Sequence, residues 1–169
     1  LAVRAEPRWV LTELVGDLHR LRKAEFFALV QVRGPGEGEH DRGRCAGAGE
    51  AGRLVEAPRG FSLAELRTLP ARTQITRHDC VEGWSAIAKW KGARLGALLE
   101  AVRPGPKARF VVFHCADPME AGGTSPYYES IDLEDAFHPQ TILAYEMNDA
   151  VLPIANGAPI RLRVERQLG

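Results

Sequence analysis

The spacing of apolar positions changes character along the chain and divides it into three stretches. Over residues 1–33 the apolar side chains are Trp9, Val10, Leu14, Leu18, Leu21, Phe26, Phe27 and Val30, and Leu14, Leu18 and Leu21 are spaced as on one helix face. His19, Arg20, Arg22 and Lys23 then take its solvated side, so the pattern predicts an N-terminal helical segment. Residues 34–52 carry Gly, Glu, Arg and Ala with almost nothing to bury, which reads as a linker. Gly47 to Gly52 matches G-x-G-x-x-G, but that fingerprint needs a strand before it and a helix after it. Asp41, Arg42 and Arg44 precede it and Pro58 follows, so no nucleotide site is read there.

From Arg53 onward the pattern is that of a folded domain over 53–169. Ser62 with Glu65 three residues on makes a capping box, predicting a helix from Leu63 to about Leu69 that stops before Pro70. Thr73 to Thr76 is strand-like, and Leu95, Leu98, Leu99 and Val102 share one face of a second helix ended by Pro104. Phe110 to Phe113 forms a continuous apolar run, a buried strand leading into His114 and Cys115. Tyr127 to Ile131 is a further strand, and Asp132 with Asp135 caps a helical turn ending at Pro139. Asn148-Asp149 is a two-residue hairpin turn between Thr141–Met147 and Ala150–Ile154. Ile160, Leu162 and Val164 alternate with Arg161, Arg163 and Glu165, the pattern of a strand with its apolar face in the core. The fold class is α+β, strand-rich with short helices.

Composition narrows what such a domain does. Of 169 residues 45% are hydrophobic, enough for a real core, and 22 basic against 22 acidic side chains leave no basic field to attract nucleic acid. No apolar run approaches the roughly 20 residues of a membrane helix. Cys45, Cys80 and Cys115 lie far apart without a C-x-x-C pair, so neither a disulfide framework nor a zinc ribbon is indicated. The chain starts at Leu1 without a signal segment, as a processed product or a fragment does.

Chemistry concentrates at Thr76-Arg77-His78-Asp79-Cys80-Val81-Glu82-Gly83-Trp84, where one thiol stands among ionisable groups with Ile75 and Trp84 as apolar flanks. Arg77 and His78 favour a thiolate, the nucleophilic and metal-binding form of cysteine. A small buried hydrophobe is the other reading of Cys80, and the residues alone leave both open.

The runs RHDCVEGWS, PYYESIDL, AYEMND and NGAPIRLRV, in that order, resemble the molybdopterin-binding domain of the sulfite oxidase family. They are most similar to its bacterial branch, which includes periplasmic methionine-sulfoxide reductase catalytic subunits. The resemblance covers Gly52 to Gly169. It implies a sulfite oxidase-like fold, a molybdenum-molybdopterin cofactor, a small sulfur-containing substrate and oxygen-atom transfer. It also implies an electron carrier such as a cytochrome or membrane haem subunit, and a periplasmic location. Cys80 matches the thiolate that binds molybdenum, and Tyr127 matches a tyrosine lining the substrate pocket. Arg77, His78 and Glu82 flank the metal cysteine on the cofactor side. Asn156 and Arg161 match cofactor contacts, the amide suiting a pterin edge and the guanidinium an anionic phosphate. Cys115 falls where relatives carry a hydroxyl residue near the cofactor.

The chain departs from the pattern in places. Where eukaryotic members carry an arginine five residues after the cysteine, this chain has Ser85, which removes a fixed cation for a dianion such as sulfite. Arg77, His78, Lys89 and Lys91 are candidate electrostatic substitutes. Relatives extend at both ends, so the expectation is a C-terminally truncated domain. The alternatives are an inactive fragment or binding module, and a cysteine hydrolase using Cys80 with His78 or His114 as base. Zinc held by His78, Cys80, His114 and Cys115 is a variant of the latter, disfavoured by irregular spacing.

Overall fold

The computed structural model describes residues 8–11, 29–33, 54–80, 82–118 and 126–168. The chain divides into two compact units, Leu1–Leu63 with Val102–Leu133, and Ala64–Ala101 with Glu134–Gly169. Among the described residues the first unit is built of strands and the second of strands with three short α-helices, together an α+β architecture.

In the first unit β1 (Arg8–Leu11) pairs antiparallel with β3 (Arg59–Ser62), where Phe61 is buried. A second sheet runs β2 (Leu29–Arg33), β6 (Phe110–Pro118), β7 (Pro126–Asp132). The apolar run Phe110–Phe113 forms the strand expected of it, with Val111 and Phe113 in the core. The helical reading of residues 1–33 is corrected at both described stretches, which are strands. Leucine spacing over 14–21 carries no information about its flanks, and Val10, Val30 and Val32 are of the β-branched type that favours strands. Leu14, Leu18 and Leu21, and the linker of residues 34–52 with Cys45, lie outside the described residues.

Helix α1 (Leu63–Thr68) follows Ser62 directly, buries Leu66, and ends ahead of Pro70. In the second unit one sheet has the order β10 (Arg161–Arg163), β8 (Ile142–Met147), β5 (Ser85–Arg94), β4 (Ala71–Asp79), with β9 (Ala150–Val151) on β8. β4 and β5 form an antiparallel hairpin whose turn starts at Cys80. Helix α2 (Leu95–Val102) buries all four positions read as its apolar face, Leu95, Leu98, Leu99 and Val102. Helix α3 (Leu133–Phe137) is tied to the start of β8 by the Thr141 hydroxyl, which donates to the Asp135 carbonyl at 2.6 Å.

Asn148 and Asp149, at φ 52° and 64°, make the two-residue turn between β8 and β9, since both central residues of such a turn take positive φ. The strand expected to reach Ile154 stops at Val151, because Pro153 has no N–H to give a ladder. A single 3-10 turn, Ile154–Asn156, takes its place and is closed by Gly157 at φ 100°.

Gly92 lets β5 approach β8. A Cβ there would stand 2.1 Å from the Leu143 carbonyl oxygen and 2.5 Å from the Ala144 Cα, both backbone atoms that cannot rotate away. The closeness coincides with a register shift between Lys91 and Gly92. We expect Gly92→Ala to force the two strands apart and to cost about 3 kcal/mol, read as a lowered urea midpoint. Wild-type stability in the variant would show that the strands have room.

Candidate functional site

Strand β4 is amphipathic in the reverse of the usual sense. Its inward positions are Arg72, Gln74, Thr76 and His78, of which Gln74 and His78 are buried, while Ile75 on the other face is 69% exposed. Cys80, one step beyond the strand, is a partly buried free thiol. Its N–H donates to the Trp84 carbonyl at 2.9 Å and its carbonyl accepts from Gly83 N–H at 2.9 Å, so the turn itself fixes the cysteine. Gly83 is at φ 89°, which favours glycine.

Strand β10 departs from its alternating pattern in the same way. Leu162 is only partly covered, whereas Arg163 is buried, with Arg163 and Glu165 side chains 5% and 7% exposed. The apolar face expected in the core is not the face that is buried most deeply. A charged side chain is buried only when paired, and this pair is complete. Arg163 Nε and Nη2 donate to Glu165 Oε1 at 3.2 and 3.0 Å, and Nη2 reaches Oε2 at 3.0 Å. Gln74 Nε2 donates to the same Glu165 Oε1 and to the Gln140 carbonyl, both at 3.0 Å, and Gln74 Oε1 accepts from Arg72 Nε at 2.8 Å. The remaining branch of the guanidinium, Nη1, meets His78 Nδ1 at 2.5 Å. Arginine only donates, so Nδ1 is the acceptor and the imidazole is held neutral. Burial, with Arg163 and Arg161 close by, pushes the His78 pKa below its ordinary value.

Trp90 of β5 underlies both arginines. The Arg163 guanidinium carbon is 4.9 Å from its ring centre and that of Arg161 5.4 Å, within cation–π range. Arg161 is treated differently from Arg163. Its Nη1 donates to the Asn156 carbonyl at 3.3 Å, and among the described residues no carboxylate pairs with it. Burial first, and Arg163 second, lower its pKa. Glu165 neutralises Arg163 and His78 is neutral, so beside His78 and Trp90 the charge of Arg161 is not matched by a carboxylate among the described residues. Two buried polar atoms of the same strand pair, Trp90 Nε1 and Thr76 Oγ1, have no hydrogen-bond partner among the described residues. Buried polar atoms are rarely left so, and these suit a ligand carrying acceptors.

The other candidates fall elsewhere. Arg77 points to the outer face and pairs with Asp79 at 2.9 Å, while Ser85 donates to Asp79 at 2.5 Å. The Ser85 hydrogen bond, then Arg77, holds the Asp79 carboxyl below its usual range. Lys89 and Lys91 pair with Asp149 and Glu146. The cations proposed to replace a missing arginine are therefore each engaged, or in the case of His78 neutral. Glu82 is exposed at the turn. Trp84 is half-exposed, its ring 5.5 Å from that of His78. Tyr127 and Cys115 lie in β7 and β6 of the first unit, Tyr127 with its hydroxyl bonded to Glu129. Among the described residues no three His, Cys, Asp or Glu side chains gather as a metal site. Gln74, Trp90, Arg163 and Glu165 escaped the sequence reading. Their only signal was alternating charge in Arg161–Glu165, which a solvated strand face shows equally.

Residues 50–169 match the family model for the oxidoreductase molybdopterin binding domain. The chain belongs to that family. It is 42% identical over 120 residues to the putative protein-methionine-sulfoxide reductase subunit of Azospira oryzae, covering 71% of this chain and 43% of that protein. It is 38% identical over 128 residues to the protein-methionine-sulfoxide reductase catalytic subunit of Xanthomonas axonopodis pv. citri, covering 71% and 40%. Among solved structures it is similar to the sulfane dehydrogenase SoxCD of Paracoccus pantotrophus, with TM-score 0.55 and 21% identity over 66% of this chain and 31% of that one. That likeness supports the sulfite oxidase-like fold. The chain thus spans about two fifths of the length of the curated relatives it matches. Family membership makes it a molybdopterin-binding oxidoreductase domain.

The donor set fits such a cofactor: a fixed, accessible soft thiol, a half-buried unpaired cation and unpartnered buried donors, in one unit of this molybdopterin domain. His78 also makes stability pH-dependent. Its folded pKa lies below the ordinary 6.5, so just under that value the unfolded chain binds more protons than the folded one. The stabilisation is present above 6.5 and is lost as pH falls toward the lowered folded value. We expect the urea midpoint to drop between about pH 7.5 and about pH 5.5 more steeply in wild type than in His78→Gln. Parallel slopes would show that His78 is not held neutral.

Proposed function

We propose that this chain is the cofactor-holding part of a molybdenum oxidoreductase that transfers an oxygen atom to or from a small sulfur compound, with Cys80 as the protein ligand to the metal. The observation that carries the reading is the polar inward face that ends at Cys80 and leaves Arg161 without a carboxylate. Cys80 supplies the thiolate, held by the Trp84 and Gly83 backbone bonds of its turn. Arg161, braced against Trp90 and Asn156, binds an anionic group of the cofactor. Asn156, Trp90 Nε1 and Thr76 Oγ1 complete the polar contacts. Bound there, the cofactor supplies two-electron oxygen-atom transfer; the protein binds it, orients it and keeps bulk water from its anionic end.

A sulfoxide is the better-supported substrate. The named sequence relatives are methionine-sulfoxide reductase subunits. Within this unit, Arg77, Lys89 and Lys91 are already paired with carboxylates, and Ser85 is bonded to Asp79. With those cations engaged, a dianion such as sulfite is the less favoured substrate, whereas a sulfoxide is neutral and needs only hydrogen-bond donors. By likeness to the family, the reading we propose also takes Tyr127 as a substrate contact, Cys115 as lying on the cofactor side, a haem-bearing electron carrier as partner and a periplasmic location. No described helix is long and apolar enough to cross a membrane. For the hydrolase alternative, His78 Nδ1 is taken by Arg163 and is not the atom that would serve Cys80 as base.

Protein purified from a host that makes molybdopterin should carry close to one molybdenum per chain, and Cys80→Ser should lose most of it with the fold retained by circular dichroism. Reduction of methionine sulfoxide by an artificial electron donor should follow the metal. Wild type free of molybdenum, or a Cys80→Ser variant as fully loaded as wild type, would overturn the assignment.

A further inference from the structure

Histidines at metal sites commonly donate Nδ1–H to a carboxylate or carbonyl, which leaves Nε2 as the lone pair that binds metal. His78 is wired the opposite way. Its Nδ1 is taken by a guanidinium that can only donate, so the ring proton must reside on Nε2. A protonated Nε2 cannot ligate a metal, but it is a directed hydrogen-bond donor. His78 stands two residues before Cys80, which lies just past the end of β4, and Trp84 packs beside the His78 ring at 5.5 Å while its carbonyl accepts from the Cys80 N–H. Among the described residues Nε2 has no protein acceptor.

Arg163 has little freedom to do anything else. Its Nε and Nη2 are spent on Glu165, and Glu165 is itself held by Gln74, which is anchored at both ends by Arg72 and the Gln140 carbonyl. The guanidinium plane is further fixed over Trp90. The series Arg72, Gln74, Glu165, Arg163, His78 thus joins β10 to β4, and each bond in it has a defined direction. Glu165 takes only Nε and Nη2, so the buried Nη1 still needs an acceptor, and the one it meets is His78 Nδ1.

We propose that Arg163 is a positioning residue: it locks His78 as the Nε2–H tautomer so that this donor is presented, beside Cys80, to an acceptor oxygen or nitrogen of the group Cys80 holds. This role rests on the proposed cofactor site, and it assigns His78 as a hydrogen-bond donor, excluding it as a metal ligand. A planar guanidinium is required, because a lysine ammonium cannot span Glu165 and His78 with fixed geometry.

The test is two-bond proton–nitrogen correlation NMR of the imidazoles in 15N-labelled full chain at neutral pH, with the His78 signals identified by their loss in His78→Gln. Wild type should show a protonated Nε2 and an unprotonated Nδ1. The Nδ1–H form, or an average of the two tautomers, would overturn the lock without need of any variant. In Arg163→Lys the His78 signals should move to a tautomeric average, and molybdenum retained through dialysis should fall about tenfold, the scale of losing an outer-shell partner. A lysine variant with wild-type imidazole signals and wild-type retention would reduce Arg163 to a structural role and overturn the proposal. The two readings fail separately. Molybdenum that depends on Cys80 combined with the wrong tautomer removes only this inference. The right tautomer in a wild type that holds no molybdenum removes the cofactor site, and the role of His78 with it.

Discussion

Burying the Arg163 and Glu165 side chains removes two charges from water, a loss of several kcal/mol for each that their attraction recovers only when every donor and acceptor is matched. The surrounding chain is arranged to meet that condition. Gln74 on β4 supplies the extra donor to Glu165, Gln140 before β8 and Arg72 hold Gln74 in place, and Trp90 on β5 offers its ring to the guanidinium. A pair built from one strand alone would be a surface ion pair worth little. Because its partners come from β4, β5 and the approach to β8, the pair fixes the register of the sheet around the face that ends at Cys80. Gly92 serves the same end, since it lets β5 and β8 close to the distance at which Trp90 and Arg161 meet.

Local signals carried most of the fold into the sequence. Helices α1 and α2 were legible because their stops are prolines and their apolar faces have the right period. The turn at Asn148-Asp149 was legible because few other dipeptides accept two positive φ values. Strands β1 and β2 were not legible, as a strand of four or five residues is defined by its partner, and those partners, β3 and β6, lie far along the chain. The site divides in the same way. Cys80 stood out by its chemistry and by a run of matching motifs, whereas Arg163 and Glu165 look like any solvated edge until Gln74, 91 residues from Glu165, and His78, 85 residues from Arg163, are seen to face them. Alternation of charge and apolar residues states that a strand has two faces. It does not state which face is inside.

The neighbourhood of Cys80 also shows how a thiol-bearing turn keeps unwanted charge away from itself. Asp79 precedes the cysteine directly, and a free carboxylate there would oppose a thiolate. Strand alternation sends it to the outer face, where Ser85 and Arg77 hold it. On the inner face the adjacent ionisable group, His78, is neutral because a cation occupies its Nδ1. Neither neighbour therefore competes with a ligand for the space beside the sulfur.

The contrast between Arg161 and Arg163 is the last step. Two guanidiniums lie two residues apart on one strand, over one indole, and a single carboxylate serves them. Had Glu165 been shared between them, the face would be electrically neutral and an incoming anion would have to displace it. By giving the whole carboxylate to Arg163, the chain keeps Arg161 desolvated and repelled by its neighbour, the two causes that lower its pKa. In the site we propose, an anionic group at Arg161 offsets the repulsion from Arg163 without disturbing the pair that holds the sheet. Stability and the proposed binding then rest on different arginines of the same strand. A change at Arg163 acts through the fold and through His78, while a change at Arg161 acts on the proposed anion contact and on its own contacts with Trp90 and Asn156.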